Sequence, residues 1–231
     1  RYRLVFDELF TLETGLMYMK GAYGEVRGIS IDISEGDKFI SKLPFELTSG
    51  QVESWNEIKD DLKKHKKMNR LLQGDVGSGK TIIAEAAMLS AASSGYQSVI
   101  MAPTELLARQ HFDTFTRDLS SHEIVPVILT SSMTASEKRM ATKSISSGDA
   151  KVIIATHAVL EENIVFKNLG LVITDEQHRF GVNQRRKLSG KGEGVNILVM
   201  TATPIPRTIA AILYGDLDIS QIRTMPKGRK G

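Results

Sequence analysis

Eight consecutive residues between positions 74 and 81 have the types and spacing that most directly indicate chemistry. They are Gly74, Asp75, Val76, Gly77, Ser78, Gly79, Lys80 and Thr81, and they fit the pattern G-x-x-x-x-G-K-[ST] without a mismatch. Glycines at these positions let backbone N–H groups converge on the β- and γ-phosphates of a nucleotide, and the Lys80 ammonium adds positive charge. The Thr81 hydroxyl is the predicted ligand of Mg²⁺. An ordinary glycine turn is the alternative. A nucleotide-binding loop is favoured because Leu71 and Leu72 precede it and a helical pattern begins at Ile82.

A second polar cluster follows the apolar run at residues 171–174. It consists of Asp175, Glu176, Gln177 and His178. An acidic residue at the end of a buried strand beside a phosphate loop can hold Mg²⁺, and a neighbouring carboxylate can polarise the water that attacks the γ-phosphate. We therefore predict the first role for Asp175 and the second for Glu176. A helix N-cap with exposed charges is the alternative, and the combination with the phosphate loop favours a hydrolytic site.

Apolar runs rich in β-branched residues predict the strands that must position these groups. Besides the run before the phosphate loop, they occupy residues 98–102, 125–130, 151–155, 171–174 and 196–201, each followed by a helical or turn pattern. This alternation predicts an α/β fold with a mostly parallel central sheet flanked by helices. In such a sheet the ligand lies outside the carboxyl ends of the strands. The polar segments expected at that edge are residues 74–81, 103–110, 131–134, 156–157, 175–178 and 201–208.

The chain before the phosphate loop is predicted to contain two helices and a connector. Apolar residues recur at helical spacing over residues 1–20. Residues 21–43 form a glycine-rich connector in which Ile29, Ile31 and Ile33 alternate like a short strand. Thr48 and Gln51 form a capping box that opens a second helix. We therefore divide the chain into an N-terminal helix and connector, residues 1–43, and a nucleotide-binding domain, residues 44–231.

A basic cluster lies near the carboxyl end of that second helix. Its members are Lys59, Lys63, Lys64, Lys66, Lys67 and Arg70. Positive charge at this position complements the helix carboxyl terminus. A solvated helix cap is therefore favoured over a DNA-binding patch.

The composition is that of a soluble globular protein. The 231 residues are 41% hydrophobic and 25% charged, and no apolar run approaches the ~20 residues that span a bilayer, so we expect no membrane partner. The chain has no cysteine, which excludes disulfides and fits a reducing cytosol. A net charge of +3 permits an acidic polymer as partner without requiring one. Because the sequence opens on Arg1, we expect it to be part of a longer protein.

The order of three motifs, the phosphate loop, D-E-x-H and Thr201-Ala202-Thr203, resembles the first motor domain of superfamily 2 helicases. Five stretches narrow the resemblance to the RecG family: L-P-F-x-L-T before Gln51, P-T-E-L-L-A-x-Q-H at 103–111, D-E-Q-H-R-F-G-V at 175–182, T-A-T-P-I-P-R-T at 201–208 and L-Y-G-D-L-D at 213–218. The resemblance covers nearly the whole chain. It implies a P-loop NTPase of RecA-like fold in a bacterial cytoplasmic helicase, which uses ATP and Mg²⁺ to remodel stalled forks and Holliday junctions in replication restart, recombination and repair. The transcription-repair coupling factor family, which shares T-A-T-P-I-P-R-T, is the alternative within this class.

The resemblance also implies how the nucleotide is held. Gln51 would hydrogen-bond the adenine and Phe45 would stack beside it, which explains ATP rather than GTP. The phosphate loop alone does not settle that choice. Lys80 would bind the phosphates and Thr81 would bind the Mg²⁺. Asp175 would hold the Mg²⁺ through a water molecule.

The catalytic residues implied by the resemblance are Lys80, Asp175, Glu176 and His178. Glu176 would hold the attacking water. His178 would couple the site to the turn at Thr201 and Thr203, whose hydroxyls can exchange hydrogen bonds when the γ-phosphate leaves. A structural histidine is the alternative for His178.

Contacts to DNA are expected from residues at other strand ends and after the acidic motif. They are Thr104, Arg109, Ser131, Ser132, Thr156, His157, Arg179, Phe180, Arg185, Arg186, Lys187 and Arg207. Thr104 at a helix start can give its N–H and hydroxyl to a phosphate, with Arg109 one turn further along. A core contact is the alternative for Phe180, and a solvated surface is the alternative for the charges at 185–187. No residue reads base edges in a recognisable way, so binding is expected to follow the branched DNA backbone rather than its sequence.

A motor of this class needs a second RecA-like domain that supplies arginines to the γ-phosphate, and RecG also has a wedge domain that splits the junction arms. No Q-x-x-G-R-x-x-R pattern occurs in these residues. We therefore predict that this chain alone binds nucleotide weakly and hydrolyses it barely. The full protein is expected to act as a monomer with all three domains in one chain. A nucleotide-dependent binding module without turnover is the alternative from a different class.

Overall fold

The computed structural model describes residues 27–175, 187–203 and 217–225, together with Phe10 and Thr14. Helices and strands alternate in this part of the chain. The helices are α1 (Ser34–Ser41), α2 (Ser49–Leu62), α3 (Lys80–Ser93), α4 (Glu105–Asp118) and α5 (Ala135–Ser147), and the strands are β1 (Asn69–Gly74), β2 (Gln97–Met101), β3 (Val127–Leu129), β4 (Val152–Ala155), β5 (Leu169–Thr174), β6 (Asn196–Thr201) and β7 (Asp218–Ile222). Two 3-10 helices cover Ser120–His122 and His157–Leu160. None of the helices described here is long and apolar enough to cross a membrane.

The strands form one sheet in which every neighbouring pair is parallel. The order of the described strands is β3-β4-β2-β5-β6-β1-β7. Apolar clusters cover both faces: along β2, Ile100 belongs to one cluster, and Val99 and Met101 belong to the other. Successive strand residues point to opposite faces, so helices pack on each side of the sheet. The predicted α/β fold with a parallel sheet flanked by helices is confirmed.

Six of the seven strands lie where apolar runs predicted them, and β6 matches its run residue for residue. The strand that the sequence did not predict is β7. It reads Asp-Ile-Ser-Gln-Ile, with Asp218 exposed and only Ser220 and Ile222 buried. As an edge strand it buries too little apolar surface to show in the sequence. Its position is set by pairing with β1.

The connector before α2 differs from the prediction. The short strand predicted at Ile29, Ile31 and Ile33 is wrong, because this segment pairs with no neighbouring strand among the described residues. The Ile31 N–H instead donates to the carbonyl of Leu62, at the end of α2, at 2.8 Å. Ile31 and Ile33 are buried, so their alternation reflects packing onto the core. Helix α1, which follows, was not predicted, and the domain boundary after residue 43 stays a prediction.

The predicted helix that opens at the capping box is confirmed. Thr48 is the N-cap of α2, its hydroxyl accepts from the Gln51 N–H, and its own N–H donates to Gln51 Oε1 at 2.8 Å. The predicted helix over residues 1–20 lies outside the described residues except at two positions. There the Thr14 hydroxyl donates to the Phe10 carbonyl, one helical turn earlier.

Part of the basic cluster at the end of α2 is paired with acidic residues. Lys64 Nζ lies 3.1 Å from Asp61 Oδ1. Arg70 is nearly buried, with its guanidinium 2.7 Å from Asp61 and 3.2 Å from Glu57. Lys59 lies 3.1 Å from Asp37. These pairs use the positive charge within the fold and support a helix cap rather than a DNA patch.

Gln97, at the start of β2, joins the end of α5 to the segments that lead into β4 and β5. It is fully buried. Its Nε2 donates to the carbonyls of Ile145 and Ala150 at 2.9 and 2.8 Å, and its Oε1 accepts from the N–H groups of Lys167 and Asn168 at 2.9 and 3.0 Å. All four hydrogen-bonding positions of the amide are therefore used.

Replacing Gln97 with leucine leaves four backbone groups without their partner. Because each unsatisfied buried group costs about 1–3 kcal/mol and loops partly rehydrate, we expect the free energy of unfolding to fall by about 3 kcal/mol. Urea denaturation measures this change. The matched control is Gln110→Leu on α4, where the side chain is exposed and the expected change is within about 0.5 kcal/mol. Equal losses in both variants would show that the four bonds do not hold the loops.

Candidate nucleotide-binding site

The phosphate loop joins β1 to α3 at the carboxyl edge of the sheet. β1 ends at Gly74 and α3 begins at Lys80. The backbone is left-handed at Gly77, with φ +81°, and at Gly79, with φ +88°. Gly79 is the N-cap of α3, and no side chain caps the helix. The N–H groups at the amino end of α3 are therefore directed into the loop.

The Lys80 ammonium lies inside this loop. Its Nζ donates to the carbonyl of Gly74 at 2.5 Å and to that of Asp75 at 3.0 Å. Lys80 is only 9% exposed. The loop thus keeps a positive charge beside the positive end of α3, where an anion would be stabilised.

A phosphate group fits the residues of the loop. Ser78 is buried, and its Oγ has no hydrogen-bond partner among the described residues. A buried hydroxyl without a partner is costly, and a phosphate oxygen would supply one. Thr81, in the first turn of α3, offers a hydroxyl for Mg²⁺. No group of three or more His, Asp or Glu side chains in the described part of the chain could hold a metal, so Mg²⁺ here would also need phosphate oxygens and water.

Gln51 contacts the phosphate loop from α2. It is 2% exposed, and its Nε2 donates to the Ser78 carbonyl at 2.7 Å. A Cβ at Gly79 would collide with the same amide nitrogen. The residue predicted to bind adenine is therefore packed against the loop in this structure. Its amide nitrogen and oxygen each keep a second hydrogen-bonding position for a base.

Replacing Gly79 with alanine should cost about 2–3 kcal/mol of unfolding free energy, because a positive φ strains alanine and the new Cβ displaces Gln51. Gly95→Ala is the matched control. Gly95 has almost the same φ, +86°, but a Cβ there would meet nothing within 4 Å. The control is expected to lose about 1 kcal/mol and to bind a fluorescent ATP analogue normally, whereas Gly79→Ala binds it more weakly. Equal losses of stability and unchanged binding would show that Gln51 does not set the shape of the loop.

An open cavity of about 550 Å³ lies beside the start of α2. Its lining consists of Ile40, Ser41, Leu43, Pro44, Phe45, Glu46, Leu47 and Val52. Phe45 is 49% exposed and Val52, next to Gln51 in sequence, is 44% exposed. This surface would suit the face of an aromatic base, and the stacking role of Phe45 stays a prediction.

Asp175 is held at the end of β5 by two contacts. Its N–H donates to the Met101 carbonyl, at the end of β2, at 3.0 Å. Its carboxylate Oδ2 lies 2.7 Å from Nε2 of His111, on α4. Both side chains are nearly buried. Seven predicted residues lie outside the described residues: Glu176, His178, Arg179, Phe180, Arg185, Arg186 and Arg207.

The turn after β6 lies between the strands that carry the phosphate loop and Asp175. The Thr201 and Thr203 hydroxyls are 3.0 Å apart, and the Thr203 N–H donates to Thr201 Oγ1 at 3.2 Å. Gln73, the residue before the phosphate loop, donates from Nε2 to the Thr203 carbonyl at 3.2 Å. A hydrogen bond therefore connects the turn predicted to couple nucleotide and DNA with β1.

The predicted DNA contacts differ in accessibility. Arg109 and His157 are exposed. Thr104 is the N-cap of α4, and its hydroxyl accepts from the N–H at the third position of the helix. Thr156 is 4% exposed, and its N–H donates to the Leu129 carbonyl at 3.1 Å. Neither the N–H nor the hydroxyl of Thr156 faces solvent in this structure.

A carboxylate lies at the loop that carries Ser131 and Ser132. The Ser132 N–H donates to Glu105 Oε1 at 2.8 Å. Hydrogen bonds from Ser132, aided by the Ser131 backbone, hold the pKa of Glu105 below its usual range. A DNA phosphate would have to displace this carboxylate to reach the two serine N–H groups.

Sequence reasoning missed three residues that contact the site. They are Gln73, His111 and Thr224. Thr224 donates to the Thr48 hydroxyl at 2.7 Å and accepts from the Gly50 N–H at 3.1 Å, so it braces the start of α2. His111 ends a motif that the sequence displayed, whereas Thr224 gave no signal because its partners lie far away in the chain.

Comparisons with known proteins place this geometry among helicases. Residues 48–212 match the family model of the DEAD/DEAH box helicases. The ATP-dependent DNA helicase RecG of Aquifex aeolicus is 47% identical over 232 residues, covering 99% of this chain and 29% of the relative. RecG of Borreliella burgdorferi is 48% identical over 228 residues, covering 98% and 33%. A structure of RecG bound to a three-way DNA junction has a TM-score of 0.84 and 42% identity, covering 100% of this chain and 31% of that one.

The family model matches well over half of the residues, so the chain belongs to the DEAD/DEAH box helicase family. It is similar to RecG over its whole length, and the predicted resemblance and RecA-like fold are confirmed. The chain spans about a third of the length of the curated relatives it matches.

Proposed function

We propose that this chain is the ATP-binding motor domain of a DNA helicase that remodels branched DNA such as stalled forks and Holliday junctions. The observation that carries the proposal is the phosphate loop at the sheet edge, with the Lys80 ammonium held beside the amino end of α3. The 42% identity to RecG, solved on a three-way DNA junction, supports branched DNA as the partner.

The residues expected at the phosphates have different roles, which follow from their chemistry. Lys80 neutralises phosphate charge after exchanging its bonds to the two loop carbonyls for phosphate oxygens. Thr81 and Asp175 would hold Mg²⁺, which when bound offsets charge on the phosphate oxygens. Glu176 would accept a proton from the attacking water. Gln51 and Phe45 would bind the adenine, and this part of the proposal explains the use of ATP.

The contacts to DNA and the coupling path form the second part of the proposal. Exposed Arg109 and His157 would contact the DNA backbone. When the γ-phosphate leaves, the hydroxyls of Thr201 and Thr203 would exchange partners with His178. Their link to Gln73 supports this path, because it joins the turn to the strand of the phosphate loop.

The full-length protein would complete the site with a second RecA-like domain and would split junction arms with a wedge domain. Arginine residues from a second domain are worth about 10³–10⁵ in turnover in related phosphoryl transfer. We therefore expect this chain alone to bind ATP weakly and to hydrolyse it very slowly. Robust DNA-stimulated hydrolysis by the isolated chain would contradict this expectation.

The experiment that tests the proposal is ATP hydrolysis by the full-length protein with and without a synthetic forked DNA. A Glu176→Gln variant is measured in parallel. Strong stimulation by the fork that disappears in the variant would establish a branched-DNA motor that uses this site. An ATP hydrolysis rate that is the same with and without DNA would refute the helicase role and leave only a nucleotide site.

A further inference from the structure

A histidine outside the predicted site contacts the carboxylate that is expected to hold Mg²⁺. His111 Nε2 of α4 lies 2.7 Å from Asp175 Oδ2. Only 11% of the His111 side chain and 13% of the Asp175 side chain are exposed. Neither the phosphate loop nor the acidic motif contains His111, and the sequence gave it no role.

The chemistry of the pair fixes the direction of the hydrogen bond. An ionised carboxylate only accepts hydrogen bonds, so His111 Nε2 carries the proton and donates it to Oδ2. The Asp175 backbone is already fixed by its bond to the Met101 carbonyl. The imidazole therefore controls the remaining freedom, which is rotation of the carboxylate, and Oδ1 is the oxygen left for a metal or its water.

The imidazole is itself held rigidly. Its ring packs edge-on against Phe115, one turn further along α4, with centroids 6.1 Å apart and an interplanar angle of 85°. Phe115 and Ala108 are fully buried and fix α4 against the sheet. The amino end of the same helix carries Thr104, a predicted DNA contact.

We propose that His111 is a positioning residue that orients the Asp175 carboxylate for Mg²⁺ and ties it to helix α4. The inference rests on the proposed function, since it deepens the role of Asp175 at the same site. Residues that hydrogen-bond a metal-holding side chain typically set metal affinity by about 10–100-fold. A purely packing role would be filled as well by an apolar side chain.

The test uses the full-length protein and a fluorescent, non-hydrolysable ATP analogue. Binding is followed while MgCl₂ is titrated into protein treated with EDTA. His111→Leu, which lacks a donor, is expected to raise the Mg²⁺ concentration at half-maximal binding about tenfold and to leave binding in EDTA unchanged. His111→Gln keeps an N–H donor of similar reach and should stay close to the wild type. In an Asp175→Ala background, His111→Leu should change the Mg²⁺ midpoint no further.

Phe112→Leu is the matched control, because it removes apolar volume where α4 packs against the core and leaves the contact between the His111 and Phe115 rings in place. It should lower the melting temperature and leave the Mg²⁺ midpoint unchanged. A wild-type midpoint in His111→Leu would overturn the inference and leave the proposed function standing. Absence of Mg²⁺-dependent binding in the wild type would overturn both. If His111→Leu does not fold, His111→Asn, whose donor is too short to reach, takes its place: an unchanged midpoint in that variant would equally refute the role.

Discussion

Replacing Lys80 with alanine should lower the turnover number for ATP in the full-length protein by about 10³-fold while the protein stays folded. The ammonium is the positive charge that the structure places inside the phosphate loop, on the carbonyls of Gly74 and Asp75. Alanine removes that charge, while the loop N–H groups and the amino end of α3 remain. Hydrolysis at saturating ATP with forked DNA measures the loss, and circular dichroism checks the fold.

Lys151→Ala is the matched control for charge. Lys151 precedes β4, at the opposite edge of the sheet, and its Nζ donates to the Gly95 carbonyl at 3.2 Å. Both variants remove one lysine, so they change the net charge equally. Turnover in Lys151→Ala should match the wild type. Unchanged turnover in Lys80→Ala, or an equal loss in both, would mean that ATP is hydrolysed without this loop.

Replacing Glu85 with glutamine should stabilise the protein at alkaline pH. Glu85 lies in α3 and is 1% exposed, and its Oε1 has no hydrogen-bond partner among the described residues. Burial, together with the nearby Asp118 charge, raises the pKa of Glu85 from 4.5 to about 8, against a smaller opposing effect of Arg117. The folded protein thus carries a buried acid that is expensive to ionise.

The sign of the pH dependence follows from the raised pKa. Well below pH 4.5 the carboxyl is protonated in both the folded and the unfolded state, so it adds no pH dependence to the stability. As pH rises from 4.5 through about 8, the unfolded state loses its proton first, so the stability of the wild type falls. Glutamine does not titrate. The advantage of Glu85→Gln should therefore grow across this window and level off above pH 8, at about 3 kcal/mol against an upper bound of about 4–5 kcal/mol.

Urea denaturation of both proteins between pH 5 and 9 measures the difference, in which the other titrating groups cancel. Asp118→Asn is a useful companion, because removal of the nearby negative charge lowers the pKa of Glu85 and moves the window to lower pH. A stability difference that stays constant with pH would contradict the prediction.

Local patterns in the sequence predicted most of the fold. Continuous β-branched runs marked six strands, because a strand buried on both faces must be apolar throughout. The capping box at Thr48 and Gln51 marked the start of α2, because its two bonds lie within four residues. The sequence patterns did not predict the edge strand β7 or helix α1, because both elements are stabilised by residues distant in the chain rather than by a pattern of their own.

The candidate site likewise contains residues that local sequence patterns predicted and contacts that these patterns did not predict. The phosphate loop consists of eight consecutive residues, so they could be identified from their spacing alone. The hydrogen bonds of Asp175 to His111 and of Thr48 to Thr224 join residues 64 and 176 positions apart. No pattern of spacing indicates such partners, and only the packed sheet brings them together. The sequence did not indicate the burial of Gln51 against Ser78 either, because these two residues are also far apart in the chain.

The place of β1 in the sheet has a consequence for how the protein is made. Its two neighbours are β6 and β7, so the strand that leads into the phosphate loop finds no partner until residues 196–222 have been synthesised. At about 5–20 residues per second, that interval is on the order of ten seconds. Leu71 and Leu72 must stay protected from misfolding or aggregation throughout it. We therefore expect the phosphate loop to reach its binding geometry only after β6 and β7 have been synthesised and have paired with β1.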